Sequence, residues 1–218
     1  MDAGQCRVMG CGNPARSATS DGLDNRFCRT HADQYARHGS PYRKSYTATE
    51  VRRYRLASAA WLKANMDDPS VRNGVERVRG LYASAGQHVE AFRLRGLPTD
   101  ERARVAWARL RKASVDPMKV LAAALAIEMV IRADPQADLK TEFKQVQTAK
   151  LIHRMASGSH KRWGEGHTAT ELHFYPRSRG RILRHIGQAA MEACELIIDH
   201  HQATFPAIVF AQGTTIEK

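Results

Sequence analysis

A chain of 218 residues with 43% apolar side chains can bury one medium-sized core and carry a small appendage. Its 34 Lys and Arg outnumber 22 Asp and Glu, so the formal charge is +12 and the pI about 10.0, a balance that points to a polyanionic partner, nucleic acid first and an acidic protein second. No apolar run approaches the roughly 18 residues that a membrane span needs, and polar and acidic residues rather than a targeting segment precede the first cysteine, so a cytosolic protein with reduced thiols is expected.

The first unit is expected over residues 1–43. Four residues separate Cys6 from Cys11, sixteen more lead to Cys28, and His31 follows after two. Two short-spaced ligand pairs joined by a loop form the pattern of a structural zinc site, because a tetrahedral ion needs each pair to turn back sharply on itself. Gly10 and Gly12 allow that turn beside Cys11, and Pro14 stiffens its exit. Leu23 and Phe27 are too few to make a core, so metal binding must supply the folding free energy of this segment. The fourth cysteine, Cys194, lies far away, and a disulfide framework would leave odd thiols.

Cys28 and His31 open a helical run that ends on the basic sequence Arg37-His38-Gly39-Ser40-Pro41. The stretch Cys6 to Ala15, followed by Phe27-Cys28-Arg29-Thr30-His31 and by Tyr35 to Pro41, resembles a small zinc module of bacteriophage and mobile-element proteins that often accompanies HNH-type endonucleases. The resemblance covers about a fifth of the chain, and the loop here is longer, with residues 17–22 as the extra length. It implies Zn2+ held by Cys6, Cys11, Cys28 and His31, DNA as the favoured nucleic acid, and a bacterial or phage-infected cytosol as the setting.

A charged linker with Arg43 and Lys44 leads to a helical domain over 44–204. Thr47 and Glu50 form a capping box for a helix that runs to about residue 66, with Val51, Tyr54, Trp61 and Leu62 on one side. A second helical pattern covers 70–94, weakened by Gly74, Gly80 and Gly86, which either admit a neighbouring helix or mark a bend near Gly86. After Gly96-Leu97-Pro98 a short basic helix begins near Thr99 and carries Arg102, Arg109 and Lys112. Asp116-Pro117 starts the apolar central helix, expected to be buried on nearly all sides, with Glu128 read as the end of a polar stripe with Lys119 in preference to a buried acid, which would need a partner. Dimerisation through this helix is the expected oligomeric contact. Another helix is expected over 136–156, with Leu139 on its apolar side.

Residues 157–176 read as an interrupted basic loop in which Lys161, Arg162 and Trp163 can meet bases or phosphates, or as a surface loop that Trp163 and Phe174 anchor to the core. A last helix begins near residue 177. Arg177, Arg181 and Arg184 share one face there, Arg179 stands beside them, and Ile182, Ile186, Leu196, Ile197 and Cys194 take the apolar flank. Residues 205–218 read as an extended tail. Residues 151–191 hold seven basic and two acidic side chains, whereas 192–218 hold one and four. The expected polyanion surface is therefore a band joining the 102–112 and 177–185 helices, to which Arg37, Arg43 and Lys44 add.

No glycine-rich phosphate loop, dinucleotide fingerprint or nucleophile elbow occurs. An HNH nuclease needs an asparagine and a strand-strand-helix scaffold; no asparagine follows Asn73 and the back half reads as helical, so no catalysis is expected. The reading is a mainly all-α, helical bundle-like nucleic-acid-binding domain with a small N-terminal zinc module. A structural or protein-interaction component of a phage or mobile element is the alternative, and a metal-dependent nuclease the second.

Overall fold

The computed structural model describes residues 4–15, 17–19, 22–176 and 180–204. Arg177, Arg179, the 205–218 tail and the side chain of Leu23 lie outside what it describes. Among the described residues the chain is mainly helical: β1 (Ser17–Thr19), β2 (Gly22–Asp24), α1 (Arg29–His38), α2 (Ala48–Ala64), α3 (Pro69–Ser84), α4 (Thr99–Lys112), α5 (Pro117–Ala133), α6 (Thr141–His153), β3 (Ser159–Trp163), β4 (Thr170–Phe174) and α7 (Gly180–His201).

The helix boundaries follow local chemistry. Thr47 and Glu50 cap α2 reciprocally, the Glu50 N–H donating to Thr47 Oγ1 at 3.2 Å and the Thr47 N–H to Glu50 Oε2 at 2.6 Å. Asp68 and Asp116 accept from the first amides of α3 and α5, each followed by a proline at the first helical position. α3 stops at Ser84, well short of residue 94, and a cation closes its end: Arg111 donates to Tyr82 O in the last turn at 2.7 Å and to Gly86 O just beyond it. The chain then runs irregularly to a single 3-10 turn at Ala91–Arg93.

α5 is the axis of the fold. Every residue from Val120 to Ile131 is buried, packed by α2, α3, α6 and α7, and each fully buried Leu, Ile or Val contributes roughly 1.5–3 kcal/mol. The stretch of α5 expected to carry a dimer contact is covered by this chain's own helices. The reading of Glu128 is corrected. It is 6% exposed rather than on a polar stripe, tied to Arg132 Nε at 2.7 Å and to the Lys144 ammonium. Two cations hold it ionised against burial, which keeps its carboxyl below the ordinary range.

Glycines let α7 close on its neighbours. A Cβ at Gly74 would stand 3.0 Å from Ala193 O and from Ile197 Cδ1, and one at Gly187 would strike the Gln145 carbonyl. On α7, Ile182, Ile186, Ala190, Ala193, Cys194 and Ile197 are buried as expected, but Leu196 is exposed. Leu139 is exposed too, because α6 starts only at Thr141.

The 157–176 segment is not a loop. β3 and β4 form an antiparallel ribbon in which His160 faces His173 and Arg162 faces Glu171. Its sequence hides this, since glycines before and between the strands and a polar, histidine-rich composition mask the alternation that marks a strand. The order β3, β4, α7 is a strand-strand-helix succession, so one of the two grounds for expecting no nuclease is removed; the absence of asparagine after Asn73 stands.

Candidate metal centre and basic seam

Cys6, Cys11, Cys28 and His31 are brought to one point. Cys6 Sγ and Cys28 Sγ each lie 3.3 Å from His31 Nδ1, Cys11 Sγ is 3.9 Å from Cys28 Sγ, and all four ligand atoms fall within 4.8 Å of one another. A tetrahedral ion with sulfur at about 2.3 Å and nitrogen at about 2.0 Å has ligand-ligand edges of roughly 3.5–3.8 Å. The donor set therefore fits a closed, four-ligand site, and the 3.9 Å sulfur separation is far outside the roughly 2.05 Å of a disulfide. No other group of three or more such ligands occurs among the described residues.

Local structure aims the ligands. Gly10, at φ 77°, permits the turn in which the Cys11 amide donates to Val8 O at 3.0 Å. Asp24 Oδ1 accepts from the amides of Arg26 at 2.7 Å and Phe27 at 3.3 Å, folding the chain into the Cys28 position. Cys28 is the N-cap of α1 but makes no side-chain cap bond, so its sulfur remains at the positive end of the helix for a metal. Burial raises the Cys6 thiol, but the amides of Cys28 and Val8, with His31, outweigh it and draw the group to about 6.

The module is fastened to the helical body. Gly39 ends α1 in the left-handed conformation at φ 72°, its amide donating to Tyr35 O at 2.8 Å, and a side chain there would strike the Glu142 carboxylate. His38 is 1% exposed and edge-on to Phe143, with ring centroids 4.9 Å apart. Burial first, then Lys150, pushes the imidazole down to about 4, so it is neutral.

The expected polyanion residues are distributed unevenly. Arg43 is half-buried and bonded to Asp134 at 2.7 Å, and Arg184 lies 3.2 Å from Glu142. Arg162 faces Glu171 at 3.7 Å, and Lys161 sits over the Phe92 ring at 5.0 Å. Arg102 is half-buried and Arg109, only 7% exposed, is interior. Lys112 is exposed, 3.8 Å from Glu90 and 3.4 Å from His88. Trp163 is 52% exposed, so it does not anchor the ribbon to the core. Arg37, Lys44 and Arg181 are exposed, and none of them pairs with a carboxylate among the described residues.

A different set converges instead. The Lys150 ammonium donates to Ser45 Oγ and is pushed down by burial, then by Arg37 and Arg154. His153 is driven to about 4 by burial, then by Arg109 and Arg154. His88 is lowered by burial, then by Lys112, against a partial offset from Glu90. These neighbours form a seam from the end of α1 across the end of α6 to the end of α4. α7 starts against it, since a side chain at Gly180 would run into the carbonyls of Ala36 and Arg37, which sets Arg181 beside that end of α1. Lys150 and Arg154, four apart at the end of α6, carry a legible spacing, whereas His88, Lys112 and Arg37 carry none.

On the ribbon, His160 and His173 approach with Nδ1 atoms 2.6 Å apart, and His173 Nε2 lies 3.1 Å from Glu171. His153 belongs to the interior, apart from them. His201, in the last turn of α7, pairs with Asp68 at 3.1 Å.

No protein-family model, no curated protein and no solved structure matches this chain. Among the described residues no helix is long and apolar enough to cross a membrane.

Proposed function

We propose that the chain is a zinc-stabilised nucleic-acid-binding protein, with DNA the favoured polymer, that uses the basic seam rather than the outward face of α7. The observation that carries this reading is the surrounding of Lys150. Arg37 from α1 and Arg154 from the end of α6 both press on it, and no carboxylate among the described residues offsets them there, in a protein that pairs Arg43, Arg132, Lys144 and Arg184 with acids elsewhere. Unanswered cations from separate elements on one side of a fold suit a chain of phosphates, which releases counterions as they bind.

Zinc has a positional role in this reading. Four protein ligands leave no open coordination position, so the ion holds structure and does not activate water. By closing the module it fixes α1, whose last turn carries Arg37 and packs through His38 onto α6. The likeness of the N-terminal stretch to phage and mobile-element zinc modules favours DNA and a mobile-element setting.

Fluorescence anisotropy with labelled duplex and single strands at low salt tests the reading. Binding that weakens steeply with salt supports it. No binding to either at about 20 mM salt transfers the charge to an acidic protein partner.

A further inference from the structure

The outer face of the β3–β4 ribbon carries two facing imidazoles. The register sets His160 directly opposite His173 and Arg162 opposite Glu171. Residues two apart on a strand share a face, so these four stand together with Tyr175. The other face is committed to the body: Ser159 is buried and accepts from the Ala91 amide at 2.8 Å, and Lys161 lies over the Phe92 ring. His160, Glu171 and His173 are open to solvent.

Hydrogen-bond chemistry fixes which nitrogens are available. An ionised carboxylate accepts and does not donate, so the 3.1 Å contact between Glu171 Oε2 and His173 Nε2 requires the hydrogen on that nitrogen. In the neutral ring Nδ1 is then a bare lone pair, and it stands 2.6 Å from His160 Nδ1. The rings meet edge to face, with centroids 4.8 Å apart and planes at 72°, and the Tyr175 ring packs against His160 at 5.6 Å. Arg162, 3.7 Å from Glu171, steadies the acid.

An imidazole whose second nitrogen donates to a carboxylate is arranged as metal-binding histidines are, since the acid orients the ring and raises its basicity. A plain hydrogen bond between the rings is the competing account, but the pair is closer than the usual separation of about 2.9–3.0 Å for an N–H donor. Two nitrogens at about 2.05 Å from one ion stand about 2.9 Å apart at a right angle and about 3.3 Å apart at the tetrahedral angle. The right-angled edge is the nearer, and the exposed rings need only a small turn to reach it. Right angles between nitrogen ligands suit nickel(II) and copper(II) better than zinc.

We propose that His160 and His173 form a second, exchangeable metal site that takes nickel(II) or copper(II), with Glu171 orienting His173. Two protein ligands leave the remaining positions to water, so this ion comes and goes while the closed four-ligand site keeps its zinc. None of these residues belongs to the basic seam, so the site stands apart from the nucleic-acid reading.

Nickel(II) is titrated into the zinc-loaded full chain, free of any affinity tag, and uptake is read by equilibrium dialysis with metal analysis. One nickel per chain is expected beyond the retained zinc. Glu171→Gln should weaken uptake about tenfold, and His160→Gln and His173→Gln should weaken it more. His167→Gln, in the turn between the strands, should leave it unchanged. No uptake beyond zinc up to about 1 mM free nickel, or equal uptake by the wild type and His160→Gln, overturns the site. Tighter uptake of zinc than of nickel overturns the right-angled geometry. Should a variant lose the ribbon, the wild type decides. Paramagnetic nickel(II) should broaden the amide signals of 159–163 and 170–174 first, and broadening that spares them overturns the assignment.

Discussion

His38 stands edge-on against Phe143 with ring centroids 4.9 Å apart, and through this contact the last turn of the N-terminal helix is joined to the helical body. Lys140 Nζ reinforces the joint by donating to Gly39 O at 3.3 Å. The metal ligands stand at one end of α1 and this anchor at the other, so events at the metal reach the body through ten residues of helix.

Metal removal is therefore expected to do more than loosen the terminus. The purified chain should contain one zinc per molecule, and chelation should unwind α1 and lower the Tm of the whole protein, with Cys28→Ala reproducing both effects. Circular dichroism and metal analysis measure them. An apoprotein with unchanged helicity and Tm contradicts a structural role for the ion.

The buried histidines set an acid limit. His38 and His153 are each held to about 4 in the fold, against about 6.5 for an unhindered imidazole. The unfolded chain binds these protons first, so stability is full above about pH 6.5 and declines as pH falls from there towards 4. Denaturation midpoints across this range should fall steadily, and His38→Gln should flatten part of the decline. A flat profile between pH 7 and 4.5 would show that neither group is buried neutral.

Glu128 acts at lower pH and with the opposite chemistry. Its folded carboxyl is depressed by Lys144 and Arg132 against burial, so its contribution is present above the ordinary value of 4.5 and is lost as pH falls through the lower folded one. Glu128→Ala leaves two cations facing a buried gap and should cost about 2–4 kcal/mol, with Glu128→Gln costing less. Chemical denaturation at pH 7 reads the difference. A cost below about 0.5 kcal/mol for the alanine variant is the result at odds with a buried pair.

Two glycines with opposite surroundings give a paired test of helix packing. At Gly187 a methyl group strikes the Gln145 carbonyl, whereas at Gly80 it meets nothing within 4 Å. Gly187→Ala should destabilise by about 2 kcal/mol or more, and Gly80→Ala should be neutral or stabilise by up to about 1 kcal/mol through helix propensity. Similar effects from both would mean that α6 and α7 do not approach so closely.

Signals carried by local pattern were legible in the sequence. The Thr47–Glu50 box, the Asp-Pro start of α5 and the spacing of the four metal ligands each depend on residues close together in the chain. So does the burial of α5, which has too little polar surface to face water. Long-range facts were not legible. Nothing near Glu128 announces Lys144, sixteen residues on, and nothing near Arg109 announces that its helix would turn it inward against His153. The ribbon was missed because its alternation is polar on polar, and only the pairing of His160 with His173 reveals it. The basic band was expected along the 102–112 and 177–185 helices; there Glu90 faces Lys112 and Glu142 answers Arg184, whereas Arg37, Lys150 and Arg154 come together from the ends of α1 and α6.

The most direct test of the basic seam is the salt dependence of DNA affinity, measured for the wild type and for Arg37→Ala with Arg154→Ala. With about four phosphate contacts, wild-type affinity should fall roughly 100-fold between 50 and 200 mM salt. The double variant should bind more weakly, with its log-log slope smaller by about 1.8. An unchanged slope in that variant, alongside a reduced one for Arg181→Ala with Arg184→Ala, would place the polyanion on α7 and contradict the seam.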